Sequence, residues 1–221
     1  MVAFGAKAAG ASNGNARRLI VALAPAYAPN NQEASCVIAI SAMPAPEAVV
    51  AALRRLQPKL ARIWIPWISS SFDSYMKGLV KAGLSSDVLV DAVRLGNAEE
   101  LPAQLRAADM ELAAILMPPD PELISRNTFD MLKQAARSKN VPIYAPFSNL
   151  VSEGATASIG SSFREMGRAA GAAARAAKDG PRCGATVYPE RVEIRVSLSA
   201  ALKADLNGDR AFYAAFAEVV P

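Results

Sequence analysis

Residues 111–162 read ELAAILMPPDPELISRNTFDMLKQAARSKNVPIYAPFSNLVSEGATASIGSS. An apolar run from Leu112 to Met117 stops at Pro118-Pro119-Asp120. From Pro121 to Ser138, Leu123, Ile124, Phe129, Leu132 and Ala135 recur at helical spacing, which predicts an amphipathic helix. Lys139-Asn140 ends that pattern, and Val141-Pro142-Ile143-Tyr144 predicts a short strand that runs out into Pro146-Phe147-Ser148. Strand, loop, helix and strand make a βαβ unit, the building block of parallel sheets with helices on their faces. In such sheets ligands gather at loops beyond the carboxyl ends of the strands, here 118–120 and 146–149.

The flanking segments repeat this alternation. Towards the N-terminus, 18–24 and 35–41 are short β-type runs separated by the polar stretch AYAPNNQEA. Pro46 suits the first turn of a helix whose apolar face is Val49, Val50, Leu53 and Leu56, and Pro58 ends it. Residues 62–68 (RIWIPWI) predict a strand, with Pro66 requiring an edge position or a strand end near Ile65, because proline donates no ladder hydrogen bond. Ser69-Ser70-Ser71 follows as a loop, then a helix from Phe72 to Ala82 with Gly83 as its stop. Residues 87–93 predict a strand and 98–108 a helix. Towards the C-terminus, 157–160 is strand-like, and Ser161-Ser162 caps an Ala- and Gly-rich helix over 163–178 whose small side chains suit tight packing on a sheet. Two strands are expected around Pro189-Glu190, the second half-exposed because Val192, Ile194 and Val196 alternate with charged residues. A final helix is expected over 209–219. Residues 1–16, rich in Ala, Gly, Ser and Asn, predict a mobile tail.

The totals exclude several functions. The chain has 221 residues, 52% hydrophobic and 20% charged, enough for an ample core. A net charge of +4, with the basic residues interleaved among acidic ones, shows no nucleic-acid footprint. The absence of histidine removes Ser-His-Asp and Cys-His catalysis and histidine-based metal sites together. Gly154, Gly160, Gly167 and Gly171 form neither a GxGxxG pattern nor a phosphate loop, so no cofactor and no enzymatic activity are expected, and a flavodoxin-like enzyme is disfavoured. Cys36 and Cys183 form no CxxC; an oxidising compartment would allow a bridge, whereas two buried thiols are the commoner arrangement for such a pair. No run of about 18 apolar residues suggests a membrane span. The first residues are not an intact signal peptide, which leaves either a cytoplasmic protein or one whose signal has been removed.

Three stretches carry a family resemblance: AVVAALRRLQPKLARIWIPW (48–67), NVPIYAPFSNLVSEGATASIGSSFREMGRAAGAAARAAKDG (140–180) and PERVEIRVSLSAALKADL (189–206). Their order resembles the ABC-transporter substrate-binding proteins of the tryptophan/tyrosine (TrpX-like) type, over roughly 46–206. In the third stretch Ser197 and Asp205 stand where that family usually shows Asn and Gly. The resemblance implies a type I periplasmic-binding fold, α/β with a mostly parallel sheet flanked by helices. It implies essentially one lobe, 46–221, carrying the crossover helix and closing strands, a remnant of the other lobe at 17–45, and the tail at 1–16. Most of the first lobe is absent by this reading, so a rearranged sheet, a second copy or another protein is expected to cover the surface left open, a homodimer among the alternatives.

The same resemblance places the ligand-facing loops at 69–72, 118–120, 146–149 and 160–162. Ser69, Ser70, Ser71, Ser148 and Ser161, with helix-terminal N–H groups, would hold the carboxylate of an amino-acid-like ligand. Asp120 would hold its ammonium, and Phe147 would stack on an apolar or aromatic part. The competing reading makes each serine, and Asp120, a helix cap, and makes Trp64 and Trp67 strand-packing residues. The implied partners are a small molecule such as an aromatic amino acid and a membrane permease; the implied location is the periplasm. The alternative is an accessory or regulatory protein that uses the scaffold for protein–protein contact.

Overall fold

The computed structural model describes residues 1–11, 18–22, 36–108, 113–176, 183–206 and 208–221. In chain order the elements are β1 (Val2–Phe4), α1 (Ala6–Gly10), β2 (Leu19–Ala22), β3 (Val37–Ile40), α2 (Pro46–Leu56), β4 (Arg62–Trp67), α3 (Asp73–Leu84), β5 (Leu89–Arg94), α4 (Leu101–Ala107) and β6 (Ala113–Leu116). They continue with α5 (Arg126–Ser138), β7 (Ile143–Ala145), α6 (Asn149–Ser152), β8 (Ala157–Gly160), α7 (Phe163–Arg175), β9 (Thr186–Val187), β10 (Glu193–Ser197), α8 (Leu198–Lys203), α9 (Arg210–Ala214) and β11 (Glu218–Val220). Short 3₁₀ turns precede α3 at Ser70–Phe72 and α4 at Ala98–Glu100. The protein is a mixed α/β fold with mostly parallel sheets flanked by helices, as the alternation of segments predicts.

The chain divides into two compact units, one of Met1–Ala45 with Ser161–Arg191 and one of Pro46–Gly160 with Val192–Pro221. The first unit holds an all-parallel sheet in the order β1-β2-β3-β9. Alternation along β2 sends Ile20 and Ala22 to one face, where with Ile38 and Ile40 they meet Met166, Ala170 and Ala173 of α7. Leu19 and Val21 point to the other face and pack with Ala3 and Ala9. The alanine-rich stripe of α7 lets its backbone lie close on the strands, which is the packing its composition predicts. Cys36 and Cys183 are joined as a disulfide across 147 residues of sequence, with Cα atoms 4.8 Å apart, so the expectation of two free thiols is corrected. Both cysteines flank the β3–β9 pair, whose parallel pairing brings their backbones together.

The second unit is a seven-stranded sheet, β11-β10-β8-β7-β6-β4-β5, antiparallel only where β10 meets β8. Trp64, Ile115 and Ile143 lie side by side in register on one face and are covered by Phe129 and Leu132 of α5 with Leu101 and Leu105 of α4. Helices α2 and α3 pack against each other, and α3 also packs along β5.

Several expectations are corrected here. Over residues 1–11 the expected tail forms β1 and α1, because Val2–Phe4 pair with Ile20–Ala22 and bury Ala3. The lobe expected at 46–221 yields 161–191 to the first unit, because α7 buries its apolar face on β2 and β3 and β9 extends that sheet. The expected loop at 26–34 and the start of the strand at Leu112 lie outside the described residues. Pro66 sits in a strand that is neither at the edge nor ended at Ile65. Pairing of β4 with β6 stops at Trp64, and the Trp67 carbonyl accepts from Leu95 on the β5 side, so the position lacking an N–H faces the side where the ladder has already ended. The helix expected from Pro121 starts at Arg126, capped by Ser125 Oγ on the Thr128 N–H at 3.0 Å, since 121–123 is consumed in a turn. The expected helix over 209–219 stops at Ala214, and Glu218–Val220 pairs in parallel with β10 instead.

Gly83 is not a stop but the penultimate residue of α3. A Cβ there would lie 2.5 Å from both the Val88 carbonyl oxygen and Val90 Cγ2. Gly83→Ala is therefore expected to lower stability by about 1–3 kcal/mol despite alanine's better helix propensity, as a shift of the urea midpoint would show. Asp205, where the resembled family shows Gly, has φ 56°, the left-handed region that favours Gly, Asn or Asp.

Candidate functional site

The loops that follow β4, β6 and β7 emerge side by side at one end of the second unit's sheet, because the three strands are parallel and adjacent in the order β7-β6-β4. Asp120 ties two of these loops together. It is fully buried, and its Oδ2 accepts from the backbone N–H of Ile68 at 2.7 Å and of Ser69 at 2.9 Å. Oδ1 accepts from the Ser69 hydroxyl and from the Glu122 N–H at 3.1 Å. Four donors occupy the two oxygens, as buried carboxylates require. Asp120, expected to hold the ligand's ammonium with its carboxylate, thus fastens the β4 loop to the β6 loop in this structure. It caps no α-helix either; its own carbonyl accepts from Leu123 and Ile124 to close the turn before α5.

Ser69 is buried with Asp120, and its hydroxyl also lies 2.9 Å from Glu122 Oε1. Ser70 and Ser71 are exposed in the 3₁₀ turn, and neither caps α3. Phe147 is half-buried, packed against the Trp64–Ile115 core, and Ser148 beside it is exposed without a capping hydrogen bond. Ser161 belongs to the first unit, where its hydroxyl donates to the Arg191 carbonyl at 3.3 Å; its neighbour Ser162 is the residue that caps α7. The structure therefore brings Ser69, Ser70, Ser71, Asp120, Phe147 and Ser148 to one end of one sheet. Trp64 lies in the core row, and Trp67 donates from Nε1 to Asp73 Oδ1 at 2.9 Å, so both tryptophans are packing residues. Asp73 also pairs with Arg94 at 3.4 Å, linking the start of α3 to the end of β5.

Glu122 is the residue that reading the sequence missed: an exposed carboxylate on the Ser69–Asp120 knot. A helix beginning at Pro121 would have made it an ordinary acidic first-turn residue, and its two-residue spacing from Asp120 was the available signal. Among the described residues no group of three or more His, Cys, Asp or Glu side chains is placed to hold a metal, and no helix is long and apolar enough to cross a membrane. Two cavities within this unit, of about 570 and 450 Å³, open among the amino ends of the strands instead of at this loop cluster.

A parallel sheet with polar loops gathered at the carboxyl ends of its strands defines an α/β small-molecule-binding architecture. The chain belongs to the family described as ABC transporter substrate binding protein, which it matches over residues 27–201. Proteins of this family bind small molecules, work with ABC permeases and are typically periplasmic. No curated protein matches the sequence. Three solved structures share the fold over 99% of this chain. One is a conserved domain protein from Vibrio cholerae (TM-score 0.70, 14% identity, 77% of that chain covered). Another is an ABC domain from Streptococcus pneumoniae in complex with L-Trp (0.68, 14%, 80%). The third is a ligand-free, open substrate-binding protein with adhesive properties from Clostridium difficile (0.62, 15%, 77%).

Proposed function

We propose that this protein is the solute-binding component of an ABC-type uptake system, non-enzymatic and periplasmic, taking a small amino-acid-like ligand at the loops after β4, β6 and β7. The observation that carries this reading is the convergence of exposed Ser70, Ser71 and Ser148, half-buried Phe147 and the exposed Glu122 carboxylate at one end of a parallel sheet, in a chain of this family. Hydroxyls suit a carboxylate, Glu122 suits an ammonium, and Phe147 offers an aromatic ring to an apolar side chain. Asp120 serves by holding the loops in place. The tryptophan/tyrosine type is supported by the three matching stretches and by the L-Trp complex among the structural neighbours. The Cys36–Cys183 bridge supports an oxidising compartment.

Calorimetric titration with tryptophan, tyrosine, phenylalanine and leucine tests this reading. An aromatic amino acid is expected to bind, and Phe147→Ala to weaken it at least tenfold, a loss of about 1.4 kcal/mol or more. Because Phe147 also packs against the Trp64–Ile115 core, the affinity is read at a temperature where the unliganded variant is still folded. Heat-free titrations with all four would overturn the aromatic assignment.

A second reading is an accessory protein that uses the scaffold for protein contact, with a reduced first lobe completed by a partner or by a second copy. It is favoured by the small sheet of the first unit, strands of two to four residues, and by the exposed rings of Phe4 and Phe163 there. Native mass spectrometry separates the two. A stoichiometric amino-acid adduct supports transport, and a bare dimer indifferent to added amino acids supports the accessory role.

A further inference from the structure

The cavity of about 450 Å³ in the second unit lies between α5, the turn before β8, β10 and α8. The charged side chains lining it are Lys133, Arg137, Arg195 and Lys203, all cationic; no side-chain carboxylate lines it, and the main-chain carboxyl end at Pro221, which shares the wall, accepts from the Ser197 hydroxyl at 3.1 Å. Hydroxyls of Ser152 and Ser199 share its wall. Four like charges around one cavity repel one another unless something negative answers them.

Two of the four are answered from outside the cavity. Lys133 pairs with Asp130 at 2.8 Å and also donates to the Glu153 carbonyl at 3.0 Å. Arg195 faces Glu218, but at 3.6 Å from Nε, beyond hydrogen-bonding distance, and that buried Nε has no acceptor among the described residues. Arg137 and Lys203 have no ion-pair partner among the described residues. The turn at Gly154, with φ 110°, brings its backbone against two of these side chains. A Cβ there would stand 3.3 Å from Lys133 Cδ and 3.9 Å from Arg137 Nη2, so the wall is formed close in by main chain.

We propose that this cavity is a second ligand site, for a small oxyanion of the dicarboxylate or phosphate-ester class. Arg137 and Lys203 supply the charge, Arg195 Nε a buried donor in need of an acceptor, and the serine hydroxyls further donors. The site lies at the amino ends of β7 and β8, the pole of the sheet opposite the loops assigned to the amino-acid ligand. Its occupant is therefore chemically and spatially separate from the transported solute, and occupancy would fasten α5, β10 and α8 together.

The test is calorimetric titration and thermal shift of the full chain with succinate, citrate and glycerol phosphate, against sodium chloride at matched ionic strength. Native protein is expected to bind at least one of the three and to melt higher with it. The exposed pair Arg137→Gln and Lys203→Gln together should weaken binding by roughly tenfold or more for each cation removed. Aromatic amino-acid binding should be unchanged in that variant, so failure of this site and failure of the transport reading are read separately. Preference for the organic phosphate or for the carboxylates tells the two sources apart. A shift matched by sodium chloride, a shift that survives in the double variant, or no binding to any of the three overturns the proposal.

Discussion

Reducing the Cys36–Cys183 disulfide, or replacing both residues with serine, is expected to cost about 3–5 kcal/mol and to lower the melting temperature by roughly 6–20 °C. The size follows from the length of chain that the bridge closes. With its ends 147 positions apart in sequence, the crosslink removes much of the freedom of the unfolded chain, and the loop-entropy relation puts the upper limit near 5 kcal/mol. The loss should fall on the first unit, where the bridge holds the end of the chain before β3 beside the end before β9. Few other features of that unit can replace it, since its sheet has four short strands and its core is largely alanine and isoleucine. The measurement is a melting curve with and without a reductant, followed by a thiol count on the folded protein. Two free thiols in the native state, or an unchanged melting curve after complete reduction, would contradict the expectation.

Asp120→Ala is expected to be nearly as damaging, by about 3–5 kcal/mol, although it removes no apolar surface. The N–H groups of Ile68, Ser69 and Glu122 lose their acceptor, while the Ser69 hydroxyl still has Glu122 Oε1 at 2.9 Å. Each buried donor left unpaired costs about 1–3 kcal/mol, and relaxation of the loops returns part of it. Asp120→Asn should rescue only part of the stability: with its oxygen on the Ile68 and Ser69 N–H groups, its amide nitrogen faces the Glu122 N–H in place of an acceptor. Urea denaturation of both variants checks this, with Ser71→Ala as a control that should leave the midpoint unchanged, its side chain being exposed. If Asp120→Ala instead keeps the midpoint and loses only ligand binding, the residue contacts the ligand and the structural role assigned here is wrong. The two outcomes cannot be confused, because one moves the unliganded protein and the other does not.

The contrast between Asp120 and Phe147 shows how much of the site was legible beforehand. Both stand in loops that follow apolar runs, and that position alone placed them, with Ser70, Ser71 and Ser148, at the carboxyl ends of parallel strands. Their side chains could not be assigned the same way. An aspartate after two prolines reads equally as a ligand to an ammonium, a helix cap or a loop fastener. The choice depends on donors 51 and 52 residues away, at Ser69 and Ile68. Glu122 was hidden by the same uncertainty, since a helix start misplaced by five residues turns a knot residue into a solvated one.

Local pattern determined the α/β class, the parallel βαβ order, most strand and helix positions and the family resemblance, because periodicity, proline and capping act within a few residues of the chain. Tertiary structure decided the rest. It chose which strands share a sheet, so that β1 became a strand by pairing with β2 and β11 by pairing with β10. It joined two cysteines that no motif connects. It gathered Arg137, Arg195 and Lys203 around one cavity although 66 residues separate the first from the last. Pairing, bridging and charge clustering depend on distances in space between residues far apart in sequence, and a one-dimensional pattern carries no record of those distances.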